Sequence, residues 1–337
     1  MINVVVDAMG GDRSPDANVE GAVLAVNKIS DANIVLVGDE TQINEKLSAY
    51  KYDTSRISVL HAADVIDCNE KPTEAIRNKK ESSMYKSIEL LKSGEDYNAL
   101  VCTGSTGALL AGAVLKIGRI RGVKRPAFCP ILPTVNRKIV GVCDSGANVD
   151  CDSFQLMQFA VMGSLYLKKA YGVKNPRVAL LNVGTEEEKG DALRKETHRI
   201  LKETAGINFV GNMESRDLLK GDYDLVVCDG FAGNVLIKST EGACLEMLKL
   251  LKSAMTANFK NKIGAALLKK DIMELKDFMD YNNYGGAVLL GTSKTVVKGH
   301  GSSKGITVFH CIEQAYNMEK NGLRAAIAEE LSARSQT

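Results

Sequence analysis

The sequence predicts an α/β protein: a three-layer, doubly wound, largely parallel sheet with helices on both faces. Three observations carry this. Short β-branched runs alternate with longer helical patterns along most of the chain. Most of those runs are continuously apolar, as strands covered on both faces are, rather than alternating. Strand after strand ends in a Gly/Asp/Asn-rich turn that opens a helix.

Taken in order, the clearest strands are Asn3–Asp7, Asn33–Gly38, Arg56–His61, Asn98–Cys102, Ile139–Cys143, Arg177–Asn182, Asn208–Gly211 and Asp224–Cys228. Helices are expected over Asp16–Ile29, Met84–Lys92, Thr106–Ile117, Ser153–Tyr171, Asp191–Ala205 and Asn234–Thr256. The rhythm weakens after about residue 233, where a helical stretch continues to about residue 279. That stretch, residues 234–279, is expected to project from the body or build an oligomer interface. No repeat, low-complexity segment or Pro-rich linker divides the chain, so one domain over residues 1–337 is expected.

Composition narrows the function classes. With 45% hydrophobic and 25% charged residues the 337-residue chain is ordinary for a globular protein. Its formal charge of +2 gives no global pull toward nucleic acid, so electrostatic arguments must be local. The opening MINVVVDAMGGD enters a strand without a basic leader, and no run approaches the ~20 apolar residues of a membrane span. A cytoplasmic protein is expected. The eight cysteines form no C-x-x-C pair and read as reduced core residues. Four scattered histidines (61, 198, 300 and 310) make a Cys/His metal site an unfavoured reading, and neither a metal nor an organic cofactor is expected.

The chemistry is expected in the loops. DAMGGD (Asp7–Asp12, with Gly10 and Gly11), TGSTGALLAG (Thr103–Gly112), NVGTEEEKG (Asn182–Gly190) and DGFAGN (Asp229–Asn234) each follow a strand. In an open parallel sheet the carboxyl ends of the strands share one edge, where ligands bind. Glycine lets backbone N–H groups crowd an anion. Gly104, Ser105, Thr106 and Gly107 form the best phosphate cradle, matching neither a dinucleotide fingerprint nor a Walker loop. The segment Lys71–Met84 adds Lys71, Arg77, Lys79 and Lys80; helical spacing would bring Arg77, Lys80 and Ser83 to one face. HGSS (His300–Ser303) joins a small-residue loop to a helix.

Two stretches concern partners. KIGRIRGVKR (Lys116–Arg125) places five cations in ten residues, either a solvated helix end or a dock for an acidic protein. NKIGAALLKK (Asn261–Lys270) gathers Ile263, Leu267 and Leu268 between lysines, suited to a membrane surface or to a subunit interface.

These blocks, in this order, resemble the bacterial phosphate acyltransferases that make acyl-phosphate for phospholipid synthesis. The likeness runs through DAMGGD, EKPTEAIRNKKESSM, TGSTGALLAGA, GRIRGVKRPA, LPT, DSGANVDC, NPRVALLNVGTEEEKG, FVGNMESRD, CDGFAGNVLIKSTEG, YGGAVLLG and HGSS. The family usually reads S-A-G-N-T-G-A where this chain has Thr103 and Ser105 in CTGSTGA, so the side-chain amide of an asparagine is missing at position 105. The resemblance implies a fold like the isopropylmalate dehydrogenase and phosphotransacetylase group and a homodimer. It also implies acyl carrier protein as donor to inorganic phosphate, and peripheral contact with the inner face of the cell membrane or with a membrane-bound acyltransferase.

Attack of phosphate on a thioester suits these residues. Phosphate is ionised near neutrality, and the leaving thiol has a pKa near ~8.5, so no Ser–His–Asp relay is required. The needs are an anion cradle, a positioned thioester and donors for the oxyanion. The expected roles are phosphate binding by Gly104–Gly107 with Lys79 or Lys80, and oxyanion stabilisation by Asn182, Asn234 or amides near Gly233. Proton handling would fall to His300 or Asp229. A metal-dependent dehydrogenase is the rival enzyme reading, with Asp7, Asp12, Asp144 and Asp229 as available carboxylates, but it lacks a dinucleotide loop. A non-catalytic phosphate- or carrier-binding module is the other.

Overall fold

The computed structural model describes residues 1–94, 96–279 and 281–334. The first half alternates strand and helix: β1 (Ile2–Asp7), α1 (Asp16–Lys28), β2 (Ala32–Gly38), α2 (Glu40–Leu47) and β3 (Ile57–His61). Two short helices, α3 (Pro72–Asn78) and α4 (Ser83–Lys92), precede β4 (Ala99–Cys102) and α5 (Thr106–Gly112). Then come β5 (Ala127–Cys129), β6 (Ile131–Pro133), β7 (Ile139–Cys143), α6 (Ser153–Tyr171), β8 (Arg177–Asn182), α7 (Ala192–Glu203), β9 (Asn208–Glu214) and β10 (Leu225–Val227). The last third holds α8 (Gly230–Thr256), α9 (Phe259–Leu267), α10 (Lys269–Met279), β11 (Ala287–Leu290), β12 (Thr295–Lys298), α11 (Gly305–Lys320) and α12 (Leu323–Arg334).

The α/β class holds, but the strands divide into two sheets rather than one. Seven strands run in the order β3-β2-β1-β4-β12-β11-β5 and five in the order β6-β7-β10-β8-β9. The first five of the larger sheet are parallel, and β11 runs antiparallel to both its neighbours. In the smaller sheet only β6 is antiparallel. Pro130 alone separates β5 from β6, so the chain changes sheets at one residue. A proline has no N–H to donate and suits such an exit from a ladder.

Helix α6 binds the sheets together. It is buried around most of its circumference, from Leu156 to Leu167. Gly163 allows close approach to Leu225 of β10, and Met162 packs against Gly291 at the end of β11. One core cluster accordingly contains Val4 and Val6 of the larger sheet and Val178, Leu180 and Val227 of the smaller. A capping box between Asp152 and Gln155 starts α6, and Gly172, at φ 69°, ends it.

The expected 71–84 face does not form. The chain leaves the helix at Lys79 and re-enters it at Ser83, so Arg77, Lys80 and Ser83 share no helical face. Ser82 caps α4 through its hydroxyl, a competing local hydrogen bond that breaks the run. All eight cysteines are free thiols, five of them buried. No described helix is long and apolar enough to cross a membrane.

Candidate active site

Strand β4 is fully buried, and its chain must turn sharply at Cys102 to start α5. The turn is held from below by the first loop. The Thr103 hydroxyl donates to the Gly10 carbonyl at 2.6 Å, and Asn18 donates to the Ala8 and Gly10 carbonyls at 2.9 Å. A Cβ on Gly10 would stand 2.6 Å from the Gly104 nitrogen, so only glycine permits this approach. Gly11, at φ 89°, carries the chain on to Asp12, whose amide donates to the Gly301 carbonyl at 2.8 Å. Three loops, from the ends of β1, β4 and β12, are thereby locked together.

Above them opens a cavity of about 560 Å³. Gly104, Ser105, Thr106 and Gly107 line it, as do Lys298, Gly299, His300 and Gly301. Asn234, Ile237 and Lys238 of α8 also face it, so the long helix contributes a wall. Phe128, Pro130, Ile131 and Ala287 supply apolar lining from the junction of the two sheets. Ser105 accepts from the Ala108 amide at 3.4 Å and caps α5.

Lys298 is the buried cation of this cavity, whose lining also carries Lys238 and the carboxylates of Glu70 and Glu241. It ends β12, is only 9% exposed, and donates to the Thr103 carbonyl at 3.2 Å and to the Gly299 carbonyl. Burial pulls its pKa below the usual lysine value, while the neighbouring Cys102, Cys311, Cys68 and Asp7 act the other way. The buried Cys102 thiol donates to Asp7 at 3.1 Å, and the Gly104 amide points at its sulfur at 3.4 Å. Desolvation raises Asp7 above the ordinary carboxylate value. It raises Cys102 as well, leaving a neutral thiol rather than a nucleophile.

His300 follows two residues later. The Ser302 amide donates to its Nδ1 at 3.2 Å, and the Ser302 hydroxyl lies 2.8 Å from the same nitrogen. An amide can only donate, so the neutral ring carries its proton on Nε2. Partial burial, with Lys238 nearby, lowers the His300 pKa and favours that neutral ring.

The other expected residues lie elsewhere. Asn182 does not line the cavity; it accepts from Val183 at 2.9 Å and donates to the Lys189 carbonyl at 3.1 Å, holding its own loop. Asp229 caps α8 by accepting from the Ala232 amide at 2.8 Å and pairs with Arg194. Lys79 is tied to Glu70 at 2.9 Å and to the Val65 carbonyl at 2.8 Å. Lys71 pairs with Glu74 at 3.2 Å, and Arg77 and Lys80 are exposed away from the lining. Ser83 is buried, while Gly10 and Gly11 support the cradle from beneath without lining it. Gly104–Gly107, Asn234 and His300 are the expected residues that the fold brings to one cavity.

Lys298 escaped the sequence reading because TVVK is a four-residue strand, too short for periodicity to separate from the loop around it. Its signal was a lysine closing an apolar run immediately before GHGSS.

Such a cavity can hold a small dianion against a lysine and backbone amides, with an apolar group beside it. A profile of the family described as "Fatty acid synthesis protein" matches residues 2–325. The chain is 47% identical over 317 residues to the phosphate acyltransferase of Bacillus cereus (strain B4264), covering 94% of each. It is 45% identical to that of Bacillus subtilis (strain 168), covering 98% of each. The fold is shared with a phosphotransacetylase from Streptococcus pyogenes, at TM-score 0.60 and 15% identity over 94% of each chain. A branched-chain phosphotransacylase from Enterococcus faecalis V583 has TM-score 0.55 at 15% identity, covering 95% of this chain and 100% of that one. Near-full-length identity of this order, on a fold shared with phosphotransacylases, places the chain in the phosphate acyltransferase family of enzymes.

Proposed function

We propose that the cavity over Gly104–Gly107 is where inorganic phosphate attacks the thioester of acylated acyl carrier protein, for phospholipid synthesis. One observation carries the reading: a buried lysine, a glycine cradle and apolar walls line the same cavity. Hydrogen phosphate lies against Lys298 and the Ser105–Gly107 amides, which neutralise it without removing its lone pairs. Its oxygen forms the new C–O bond as the C–S bond breaks. The proton of hydrogen phosphate ends on the leaving sulfur, giving acyl-phosphate and the free carrier thiol.

Asn234 and the Nε2–H of His300 are the side-chain donors for the oxyanion and the departing thiolate. A neutral imidazole suits this because the thiolate needs a hydrogen bond rather than a strong acid. Phe128, Ile131 and Ile237 receive the first carbons of the acyl chain. The protein acts as one unit, since both sheets contribute walls.

The reading extends to assembly and location. Helices α8 and α9 expose Leu245, Met247, Leu250, Phe259, Ile263 and Leu267, the last at 81%. A patch this apolar favours cover. The α8 stretch pairs two copies into a homodimer, and α9, which carries Lys262 and is followed by Lys269 and Lys270, rests on the cytoplasmic face of the membrane.

The test is release of free carrier from acylated carrier, followed with and without phosphate. Release that requires phosphate is the expected result. Hydrolysis at the same rate without phosphate, or no turnover at all, sinks the reading.

A further inference from the structure

Helix α5 continues through a π-helical turn, Ala113–Ile117, to Gly118. Along this segment runs a second cleft of about 720 Å³, lined by Leu110, Ala111 and Val114 and by Arg119, Lys124 and Arg125. It shares Pro72 and Gly107 with the phosphate cavity, so the two meet at the first turn of α5. From Gly107 to Val114 a helix rises about 10 Å, the length of the apolar wall that α5 and its continuation give the cleft.

The mouth is built, not incidental. Arg119, Arg121, Lys124 and Arg125 are all exposed. None of the four has a carboxylate partner among the described residues, whereas neighbouring Lys116 pairs with Glu89 at 3.1 Å. The loop that carries them is pinned. Buried Gln158 of α6 accepts from the Lys124 amide and donates to the Gly122 carbonyl, each at 2.8 Å. Arg119 donates to the Lys124 carbonyl, and Asn148 donates to the Pro126 carbonyl at 2.8 Å. Lys124 lies over the exposed ring of Phe154, its Nζ 6.0 Å from the ring centroid, and Leu115, next to Val114 of the cleft, is 54% exposed. Unpaired charge held on a rigid loop is a cost to the isolated fold and a gain only when an anionic surface covers it.

We propose that the Gly118–Pro126 loop is the docking face for the acidic surface of the acyl carrier, and that the cleft along α5 guides its pantetheine arm. The proposal rests on the transfer reading above. The phosphodiester of the arm lies against Arg119, Lys124 and Arg125. Its slender amide chain runs over Leu110 and Val114, and its thioester reaches Gly107. The carrier's acidic residues meet Arg121 and the rest of the loop, with Leu115 and Phe154 in the apolar centre.

The experiment compares the full-length chain with Arg121→Glu/Lys124→Glu on two donors, acylated carrier and the carrier-free acyl-pantetheine thioester. The ratio of kcat/KM for acylated carrier to that for acyl-pantetheine is expected to fall at least about tenfold. The wild-type rate with carrier should drop steeply with salt and the variant rate should not. The charge-conserving Arg121→Lys/Lys124→Arg should keep the wild-type ratio. An unchanged ratio overturns the proposal. So does a variant that sediments as a smaller species than wild type, because the loop then meets a second copy of this chain. Titration calorimetry with the acylated carrier separates the two readings. Binding that charge reversal abolishes supports the dock even if the wild type consumes no acylated carrier, an outcome that sinks the transfer reading alone. Binding that survives charge reversal overturns the dock.

Discussion

A lysine nine-tenths buried is expensive to keep charged, and desolvation lowers its pKa accordingly. That cost is repaid only when an anion arrives. Lys298→Met is therefore expected to lower kcat/KM for phosphate about 100-fold, equivalent to about 3 kcal/mol. Its Tm should stay the same or rise, because a buried charge is removed from the unliganded fold. Steady-state kinetics and calorimetry check both, and a normal phosphate KM would remove Lys298 from the site. The pH dependence follows with a definite sign. A depressed folded-state pKa means that Lys298 loses its proton below pH 10.5, so the alkaline limb of kcat/KM for phosphate should fall below that value. Lys298→Arg, which stays charged, should move the limb upward. Folding shows the opposite trend: between the lowered pKa and 10.5 the unfolded chain binds more protons, so Lys298's contribution improves as pH rises.

At the scale of elements, α8 joins site to scaffold. Its first turn is fixed by Asp229, which caps it and pairs with Arg194, and by Gly233, where a Cβ would collide with the Asp144 carbonyl. Gly233→Ala is expected to destabilise the protein by ~1–3 kcal/mol, read as a lower denaturation midpoint. Asp229→Asn keeps an acceptor for the Ala232 amide but loses the charge opposite Arg194. It should lower Tm while kcat stays within about threefold, since general acid–base residues are worth 10²–10⁴-fold and this one is a cap. A loss of 100-fold or more with normal Tm would return Asp229 to the chemistry. Farther along, Phe259 and Leu267 of α9 are at least 80% exposed. Phe259→Glu/Leu267→Glu should abolish co-flotation with anionic vesicles and leave turnover of soluble acylated carrier intact.

Across the whole molecule, one core spans both sheets through α6, and the cavity takes walls from each. Unfolding should therefore be a single calorimetric transition, and phosphate, which binds the folded state alone, should raise its midpoint. Two separated transitions, only one of them moved by phosphate, would show that the sheets are independent units. The cationic loop proposed to dock the carrier is pinned to the same central helix: Gln158, which fixes that loop, sits on the helix that holds the two sheets together.

Local chemistry was enough to determine the α/β class, the β1–β4 and β7–β10 strands and the glycine loop that opens α5, and the resemblance of ordered motif blocks was enough for the family. Continuous apolar runs, helix caps and ordered motif blocks are properties of neighbouring residues. Tertiary structure alone decided which loops share a cavity. The sequence presented Asn182, Asp229, Lys79 and Lys80 as equals of His300 and Asn234, because each is a polar or charged residue in or beside a loop or helix that could face the site. In the fold Asn182 holds its own loop after β8, and Asp229 caps α8 and pairs with Arg194, while Asn234, one turn further along α8, reaches the cavity. The order of the strands brings Lys298, at the end of a four-residue strand, under the cradle. Strand order depends on contacts between residues nearly two hundred positions apart, and no local pattern encodes those.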